Sequence, residues 1–563
     1  MPQQVGVQIR LWPWSVDRME IVVPDNNLSF PYYGSPVFVV AQNVHFMLPK
    51  RNEQFVPHGV PFASLQGQYR LYEMPHGVLA SRKKSHSTTP RQELTIFSGT
   101  QMREIKLNTA LAMSQLEEDK PSELAKMVMA WSQFFDDCLE VKKKEKTENQ
   151  LPWQEIYKYL NLLSGEMSEP HMALIVHIAE KMRKRLGPTV RMARKILLRE
   201  RTLLPVERIT ETDTSCLRWY IRQPGENMAQ KAAAHRQSLL GIARKESFDT
   251  LENRVLKDFL LRCKLASQRY ITVEVGHQFQ QSSRGKSVRQ FQHLCGELIT
   301  DSSLQNVTPL RSRVRPNYVL QNDARYREVW QSYQRLLRQE DEEDRSWDWQ
   351  SRTWADIVRL LTGAALSNME DKTSHGNMPF AKPLLQASMY IHKEQRLGSR
   401  VRAGSEPGPF AIFSAKNTKN PEWILELVHS EEAYEHAATK ELGRTGGHLY
   451  LVLERIGKPE RRVIVIWAVH TASSTHHMAW DSISLSAQRA LSHHEAVLGE
   501  YQTHFPRLSG LAIASSLNEQ KVNLHMANGG VPIFDIPADP RRWAAELDSM
   551  AFLLQGIIEE AAR

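Results

Sequence analysis

The chain has 563 residues, of which 41% are hydrophobic and 24% charged, and a formal net charge of +9. That length is enough for about three or four domains, and the composition excludes a disordered or fibrous chain. No run of about 18 apolar residues occurs, and the opening MPQQVGVQIRLWPW lacks a basic stretch followed by an apolar one, so neither a membrane span nor a secretory leader is expected.

Residues 1–110 read as a β-rich domain. Ile21–Val23, Val37–Val40, Tyr69–Tyr72 and Leu94–Phe97 are strand-like runs punctuated by Pro, Asn and Gly turns, a spacing that suits a sandwich or open barrel. The polar stretch Ala80–Gln92 reads as an exposed loop. The pattern then turns helical, first over a region spanning 111–245 and then over a helical core spanning 246–370. Leu124, Met127, Val128, Trp131 and Phe135 follow helical spacing, and the charged tract Lys142–Lys146 ends that element. Over Leu251–Leu265, Val255, Leu256, Phe259 and Leu260 form an apolar stripe opposite Arg254, Lys257, Asp258 and Arg262. Ser247 or Asp249 is positioned to cap this helix, with Glu252 completing a capping box. A helix over Ala324–Arg338 should stop at the acidic run Glu340–Asp344, and another should follow around Trp354–Leu366.

Residues 371–563 alternate strands with helices, as an α/β domain does. The strands are expected at Ala411–Phe413, Trp423–Val428, Leu449–Leu453, Val463–Val469, Leu511–Ala514 and Val531–Phe534, and the helices at Ser484–Tyr501 and Arg541–Ala562. The fold class is therefore α+β and multidomain. The four cysteines, Cys138, Cys216, Cys263 and Cys295, are too dispersed for a disulfide framework or a CxxC pair, which points to reduced thiols and a cytoplasmic location.

Charge is concentrated in one place. Lys181, Arg183, Lys184, Arg185, Arg191, Arg194, Lys195, Arg199 and Arg201 face only Glu200 within their segment. Such a cluster suits phosphates, whose neutralisation releases counterions. The competing reading is a solvated face with acidic neighbours folded over it.

Two segments carry a family resemblance. LLPVERITETDTSCLRWYIRQPG with ARKESFDTLENRVLKDFLL, between Leu203 and Leu261, and NDARYREVWQSYQRLL, from Asn322 to Leu337, resemble a bacterial family of unknown-function proteins encoded beside McrB-type AAA+ motors in restriction loci. The resemblance covers roughly residues 200–370 and implies a role similar to that of McrC, often with an appended PD-(D/E)XK nuclease domain. Its implied partners are DNA and an AAA+ or helicase-type motor, with no membrane.

In such a nuclease a divalent metal is held by an acid on one strand and an acid–x–lysine pair on the next, and the metal activates water for attack on phosphate. Here Ile412–Lys416 reads IFSAK, with Ser414 where the acid belongs and Lys416 as the lysine. Glu426 and Glu454 are the other candidates, but Ile456 follows Glu454 where a lysine is needed and Lys458 comes two positions later. A serine hydroxyl is a poor ligand for magnesium, so a nuclease-like domain with defective motifs is expected. Gly285-Lys286-Ser287 lacks the first glycine of a phosphate loop, and His476-His477 and His493-His494-Glu495 lack zinc-site spacing. No metal or resident cofactor is thus expected. The leading expectation is a DNA-binding accessory subunit of a bacterial defence system, with Lys181, Arg183, Lys184, Arg185, Arg191, Arg194, Lys195 and Arg199 as its contacts. The alternatives are a magnesium-dependent endonuclease using Glu426, Glu454 and Lys416, and an adaptor whose basic segment meets an acidic protein.

Overall fold

The computed structural model describes strand segments between residues 8 and 108 with Trp14, and residues 150–165, 169–234, 238–310, 312, 314–348 and 350–367. Beyond these it describes segments 381–383, 388–390, 411–413, 422–429, 439, 442–470, 480–499, 507–515, 524–537 and 540–563. The N-terminal strands are β1 (Gln8–Arg10), β2 (Asn27–Ser29), β3 (Val37–Ala41), β4 (Val44–Met47), β5 (Pro57–Ser64), β6 (Gly67–Glu73), β7 (Glu93–Ser98) and β8 (Gln101–Asn108). They form two four-stranded sheets, ordered β1-β3-β6-β5 and β2-β8-β7-β4. Strands are thus found over the expected runs at 37–40, 69–72 and 94–97. The run at 21–23, the loop at 80–92, the helix at 124–135 and the charged tract at 142–146 lie outside the described residues.

After β9 (Gln150–Pro152) and α1 (Trp153–Gly165) the chain enters a compact unit spanning 172–338. It contains α2 (Leu174–Arg191), β10 (Ile196–Pro205), α3 (Thr214–Ile221), α4 (Met228–Ala234), β11 (Ser238–Ser247), α5 (Leu251–Tyr270), α6 (Ser283–Ile299) and the start of α7 (Ala324–Asp348). Its core gathers the apolar stripes of α2, α5, α6 and α7, including Ile178, Met182 and Leu186, then Val255, Leu256, Phe259 and Leu260, then Phe291, and finally Tyr326 and Val329. Sequence spacing placed the α5 stripe correctly, since all four of its apolar residues are buried.

Two expectations fail in this region. Helix was expected throughout 111–370, yet β10 and β11 pair antiparallel over ten residues, from Ile196↔Ser247 to Pro205↔Ser238. Doubled leucines at Leu197-Leu198 and Leu203-Leu204 hide the period of two in ILLRERTLLP. The acidic run 340–344 does not end a helix either, because α7 continues through it to Asp348. Glutamate is a good helix former, and charge alone does not break the backbone hydrogen-bond ladder.

The other compact unit joins residues 1–171 to 339–563. Its C-terminal part comprises α8 (Gln350–Ser367), β12 (Ala381–Pro383), β13 (Ser388–Tyr390), β14 (Ala411–Phe413), β15 (Trp423–His429), β16 (Leu449–Arg455), β17 (Arg461–His470), α9 (Trp480–Gly499), β18 (Arg507–Ser515), β19 (Leu524–His525), β20 (Ile533–Asp535) and α10 (Trp543–Ala562). An eight-stranded mixed sheet runs β12-β14-β15-β16-β17-β18-β20-β19. Within it β15, β16 and β17 form an antiparallel meander, after which α9 precedes β18, parallel to β17. β13 pairs with β9 outside this sheet.

The sheet is buried on both faces, so its central strands read as continuous apolar runs. Leu451, Leu453, Ile464, Ile466 and Ile513 face a core shared with α1, α8 and α10. Tyr450, Val452, Val463, Val465, Trp467 and Ala512 face another, shared with Ile483, Ala487 and Leu491 of α9. The indole N–H groups of Trp354, Trp467 and Trp543 donate to the carbonyls of Ile513, Thr445 and Pro537, so these large rings are buried without stranding a donor. Among the described residues no helix is long and apolar enough to cross a membrane.

Two glycines give a stability test with opposite signs. A Cβ on Gly510 would lie 2.6 Å from the Trp467 ring, whereas a Cβ on Gly556 of α10 would meet nothing within 4 Å. Gly510→Val should destabilise by about 1–3 kcal/mol through overpacking, and Gly556→Ala should stabilise by about 0.4–1 kcal/mol. Urea unfolding midpoints that move in the same direction for both would contradict this packing.

Candidate nucleic-acid interface

The basic segment begins on α2 and ends on β10, and its course is fixed by the residues that open α5. Thr250 is the residue that caps α5: its backbone is extended (φ −104°, ψ 160°) and its side chain accepts from the Asn253 N–H. The expected caps, Ser247 and Asp249, do other things. Ser247 accepts from the Asp249 N–H, while Asp249 accepts from Arg254 Nε and Nη2 at 2.8 Å each and from the Thr308 N–H at 3.0 Å and hydroxyl at 2.9 Å. The Arg254 guanidinium, helped by Thr308, holds the Asp249 carboxyl well below the ordinary aspartate range.

Asn253, fully buried, turns inward. Its amide donates to the carbonyls of Arg194 and Phe248 at 2.7 Å each, and its Oδ1 accepts from the Tyr326 hydroxyl at 2.7 Å. That hydroxyl in turn accepts from the Arg194 N–H at 2.9 Å. Beside it, the buried Glu252 accepts from Asn317 Nδ2 and pairs with Arg194. Burial opposes ionisation of Glu252, but donors from the backbone, Asn317 and Thr250 and the charge of Arg194 keep its carboxyl below the usual value.

From this node the basic residues split into two groups. Arg185 pairs with Glu328, Arg194 with Glu252, Lys195 with Glu246 at 2.8 Å, Arg199 with Glu211, and Arg201 with Asp213 through Nε at 2.7 Å. On α2, Lys181, Lys184 and Arg191 recur at spacings of three and seven residues along one exposed stripe. No carboxylate hydrogen-bonds any of the three among the described residues, although Arg191 lends its field to Asp301. Arg183 bonds the neutral Gln290 on α6. The solvent-facing carboxylate pairs are weak and salt-sensitive, but each one lowers the charge a polyanion would meet. The free cation density is therefore that of α2, not of the whole run from 181 to 201.

The C-terminal carboxylates lie elsewhere on the fold. β15–β16 register places Ile424 opposite Glu454 and Glu426 opposite Val452, so the two glutamates are diagonal neighbours on one face. Glu454 sits at the hairpin end of β16 and pairs with its cross-strand neighbour Arg461 at 2.7 Å. Ser414 and Lys416 lie outside the described residues, as do His476 and His477. His494 is buried on α9, and the neighbouring Glu495 accepts from the Leu508 N–H. Among the described residues no group of three His, Cys, Asp or Glu side chains is placed to hold a metal ion. Gly285-Lys286-Ser287 lies in the first turn of α6, whose N-terminus is capped by Ser282 accepting from Gly285 N–H.

Residues 144–333 match a family described as a domain of unknown function (DUF2357), about one third of the chain. The match takes in α1 to α6 and the node around Asn253. No curated protein matches the sequence.

Sequence reasoning found the α2 cations but missed Thr250 and Asn253. The signal was there in Thr-x-x-Asn at the start of an apolar helix, overshadowed by the more familiar Asp-x-x-Glu. Thr250→Ala should cost about 0.5–2 kcal/mol. Asn253→Ala should cost more, because it leaves the buried Tyr326 hydroxyl without its acceptor, at about 1–3 kcal/mol for an unsatisfied buried group, and removes the donor from two part-buried carbonyls. Hydrogen exchange within 172–338 measures both, and equal protection loss would remove the node from its place in the unit.

Asp249 adds a pH signature. Its lowered carboxyl binds fewer protons in the folded state than in the unfolded one, so its stabilisation is complete above the unfolded value near pH 4 and fades as pH falls below it. Asp249→Asn should therefore cost its full stability relative to the wild type at pH 7 and progressively less in paired urea titrations at successively lower pH below 4, the gap closing only once pH falls through the folded-state value. A gap that stays constant with pH would show that the charge contributes nothing.

Proposed function

We propose that this protein is a DNA-binding accessory component of a bacterial restriction-type or anti-phage defence system, working with a separate NTP-driven motor. The observation that carries the reading is the stripe of Lys181, Lys184 and Arg191 on α2, exposed and without a carboxylate hydrogen bond among the described residues. Arg183 extends it towards Lys286, also exposed, on α6. Cations without a carboxylate hydrogen bond are free to release counterions from a phosphate backbone, a contact indifferent to base sequence. The bacterial defence setting and the motor follow from the resemblance of residues 200–370, and the absence of a phosphate loop in the sequence favours a motor on another chain.

The C-terminal domain is read as nuclease-like and non-catalytic. A helix, a three-stranded meander, a second helix and a parallel strand occur in the order α8, β15–β17, α9, β18, an arrangement compatible with a PD-(D/E)XK core. The strand before the second helix is β17, and from Val463 to Val469 it carries no carboxylate and no lysine. Glu426 and Glu454 do not fit a magnesium site as they stand, since Glu454 is neutralised by Arg461 and no third acid joins them among the described residues. The shared face of the two glutamates is the observation that favours the endonuclease alternative.

Replacing Lys181, Lys184 and Arg191 together with alanine should weaken duplex binding equally across sequences. It should also reduce the slope of log K against log salt by about 3, near one per lost phosphate contact. Replacing the paired Arg199 and Arg201 should change affinity far less. Unchanged affinity and slope in the folded triple variant would remove DNA from the function.

Cleavage separates the two readings. Purified protein with magnesium or manganese should leave DNA intact, and Glu426→Gln and Glu454→Gln should leave biological protection in place. Metal-dependent cleavage abolished by either substitution would make the protein a nuclease.

A further inference from the structure

β10 and β11 form an arm. At its base, Ile196↔Ser247, it joins α2 to α5, and at its far end, Pro205↔Ser238, it carries a small helical head of residues 206–234. The head is fixed in place. Asp213 caps α3 by accepting from the Ser215 and Cys216 N–H groups and grips Arg201 of the arm. Lys231 of α4 donates to the last carbonyls of α3, Tyr220 at 3.1 Å and Ile221 at 3.3 Å, where a cation also complements the helix dipole. Gly225 (φ +124°) makes the turn between α3 and α4, where a Cβ would come within 2.9 Å of Gln230 Cβ and Lys231 N.

Cys216, Leu239 and Ile242 fill the interior of this head, but much apolar surface stays outside. Leu217 and Ile221, one turn apart on α3, are 50% and 71% exposed, and Met228 on α4 is 48% exposed. Leu203, on the arm face that carries Arg201, is 55% exposed as well. Charge around the patch is sorted. Glu211 and Asp213 turn towards the arm and take Arg199, Arg244 and Arg201. Arg218 and Arg222, adjacent to Leu217 and Ile221, and Arg208 hydrogen-bond no carboxylate among the described residues. Glu207 and Glu226 are also exposed on the head, but α3 and its C-cap carry Leu217, Arg218, Ile221 and Arg222 with no acid among them, an apolar stripe bordered by two arginines that hydrogen-bond no described carboxylate.

We propose that this face of the head is the docking surface for an acidic amphipathic helix of a partner protein. An apolar stripe would cover Leu217, Ile221 and Met228, and flanking glutamates or aspartates would meet Arg208, Arg218 and Arg222. A second copy of this chain suits the surface less well, because a twofold contact would bring two sets of unpaired arginines into one interface. A nucleic acid does not either, since phosphates give the exposed leucine and isoleucine nothing to pack against. The surface is separate from the α2 stripe, so this inference stands or falls independently of DNA binding.

The test is selection of helical peptides from a random displayed library against the full chain, followed by fluorescence anisotropy with the best peptide. Selected sequences should carry Leu, Ile or Phe at spacings of three and four with net negative flanks. Leu217→Ser with Ile221→Ser, and separately Arg218→Glu with Arg222→Glu, should each weaken binding at least tenfold while leaving the melting temperature unchanged, since all four side chains are exposed. The conservative Ile221→Gln guards against misfolding in the double variant and should weaken binding in the same direction. Failure to enrich such peptides, enrichment of basic ones, or binding indifferent to these substitutions overturns the proposal. So does dimerisation in sedimentation that Ile221→Gln abolishes, or a loss of duplex affinity in the Arg218/Arg222 variant equal to that of the α2 triple variant.

Discussion

The unit from 172 to 338 depends on one buried carboxamide. Asn253 takes hold of the chain where α2 ends, where β11 ends and where α7 begins, by bonding Arg194, Phe248 and Tyr326. The amide itself and its bond to the Tyr326 hydroxyl are buried, while its bonds to the Arg194 and Phe248 carbonyls are part-buried, so a missing member leaves the others short of a partner where water compensates poorly. The adjacent Glu252, held by Asn317 and Arg194, closes the same knot from the solvent side. The departure of the β10–β11 arm starts at this knot, whereas α2 is held by its own apolar stripe in the core. The cations from Arg194 onward therefore follow a turn that is held by a residue carrying no charge.

This division of labour explains why a stretch with nine cations does not behave as one patch. The arm's arginines are spent internally, with Glu211 bridging two of them and Asp213 both capping α3 and holding a third. Such exposed pairs contribute little stability one by one. Their effect is on the surface potential, which they erase along the arm and leave intact on α2 and on the outer face of the head. The α2 stripe is polar throughout, whereas the outer face of the head has exposed apolar side chains among its arginines.

How much of this could be read in advance depended on whether a pattern was local. The stripe Val255, Leu256, Phe259, Leu260 gave α5 directly, and the continuous apolar runs at 449–453 and 463–469 gave the middle of a sheet buried on both faces. The arm was invisible because its strands are 32 residues apart in the chain, from Pro205 to Ser238 at the near ends, and its leucine doublets resemble a helix core. The acidic run misled by suggesting that acids end α7, whereas for the cations of β10 the competing reading, acidic neighbours folded over them, is the one the arm shows. Net charge along a segment is a sequence property, but free charge is a tertiary one. The candidate site was legible as residues and illegible as a selection among them, because only the folded chain decides which cations keep their charge unopposed.

The uninterrupted apolar middle of β17 has an evolutionary consequence. With Val463, Val465, Trp467 and Val469 packed on one side and Ile464, Ile466 and Ala468 on the other, every position is committed to a core. A mutation that introduced an acid there would bury an ion without a counter-ion, and a second that introduced a lysine would do the same, so neither can arise first without unsettling the domain. Lineages carrying this strand can drift among apolar residues, but the route to a charged pair requires two simultaneous changes. The sheet behaves as a ratchet: whatever this protein does next in evolution, it will be built on the rim of the domain and on its loops, and the middle will stay dry.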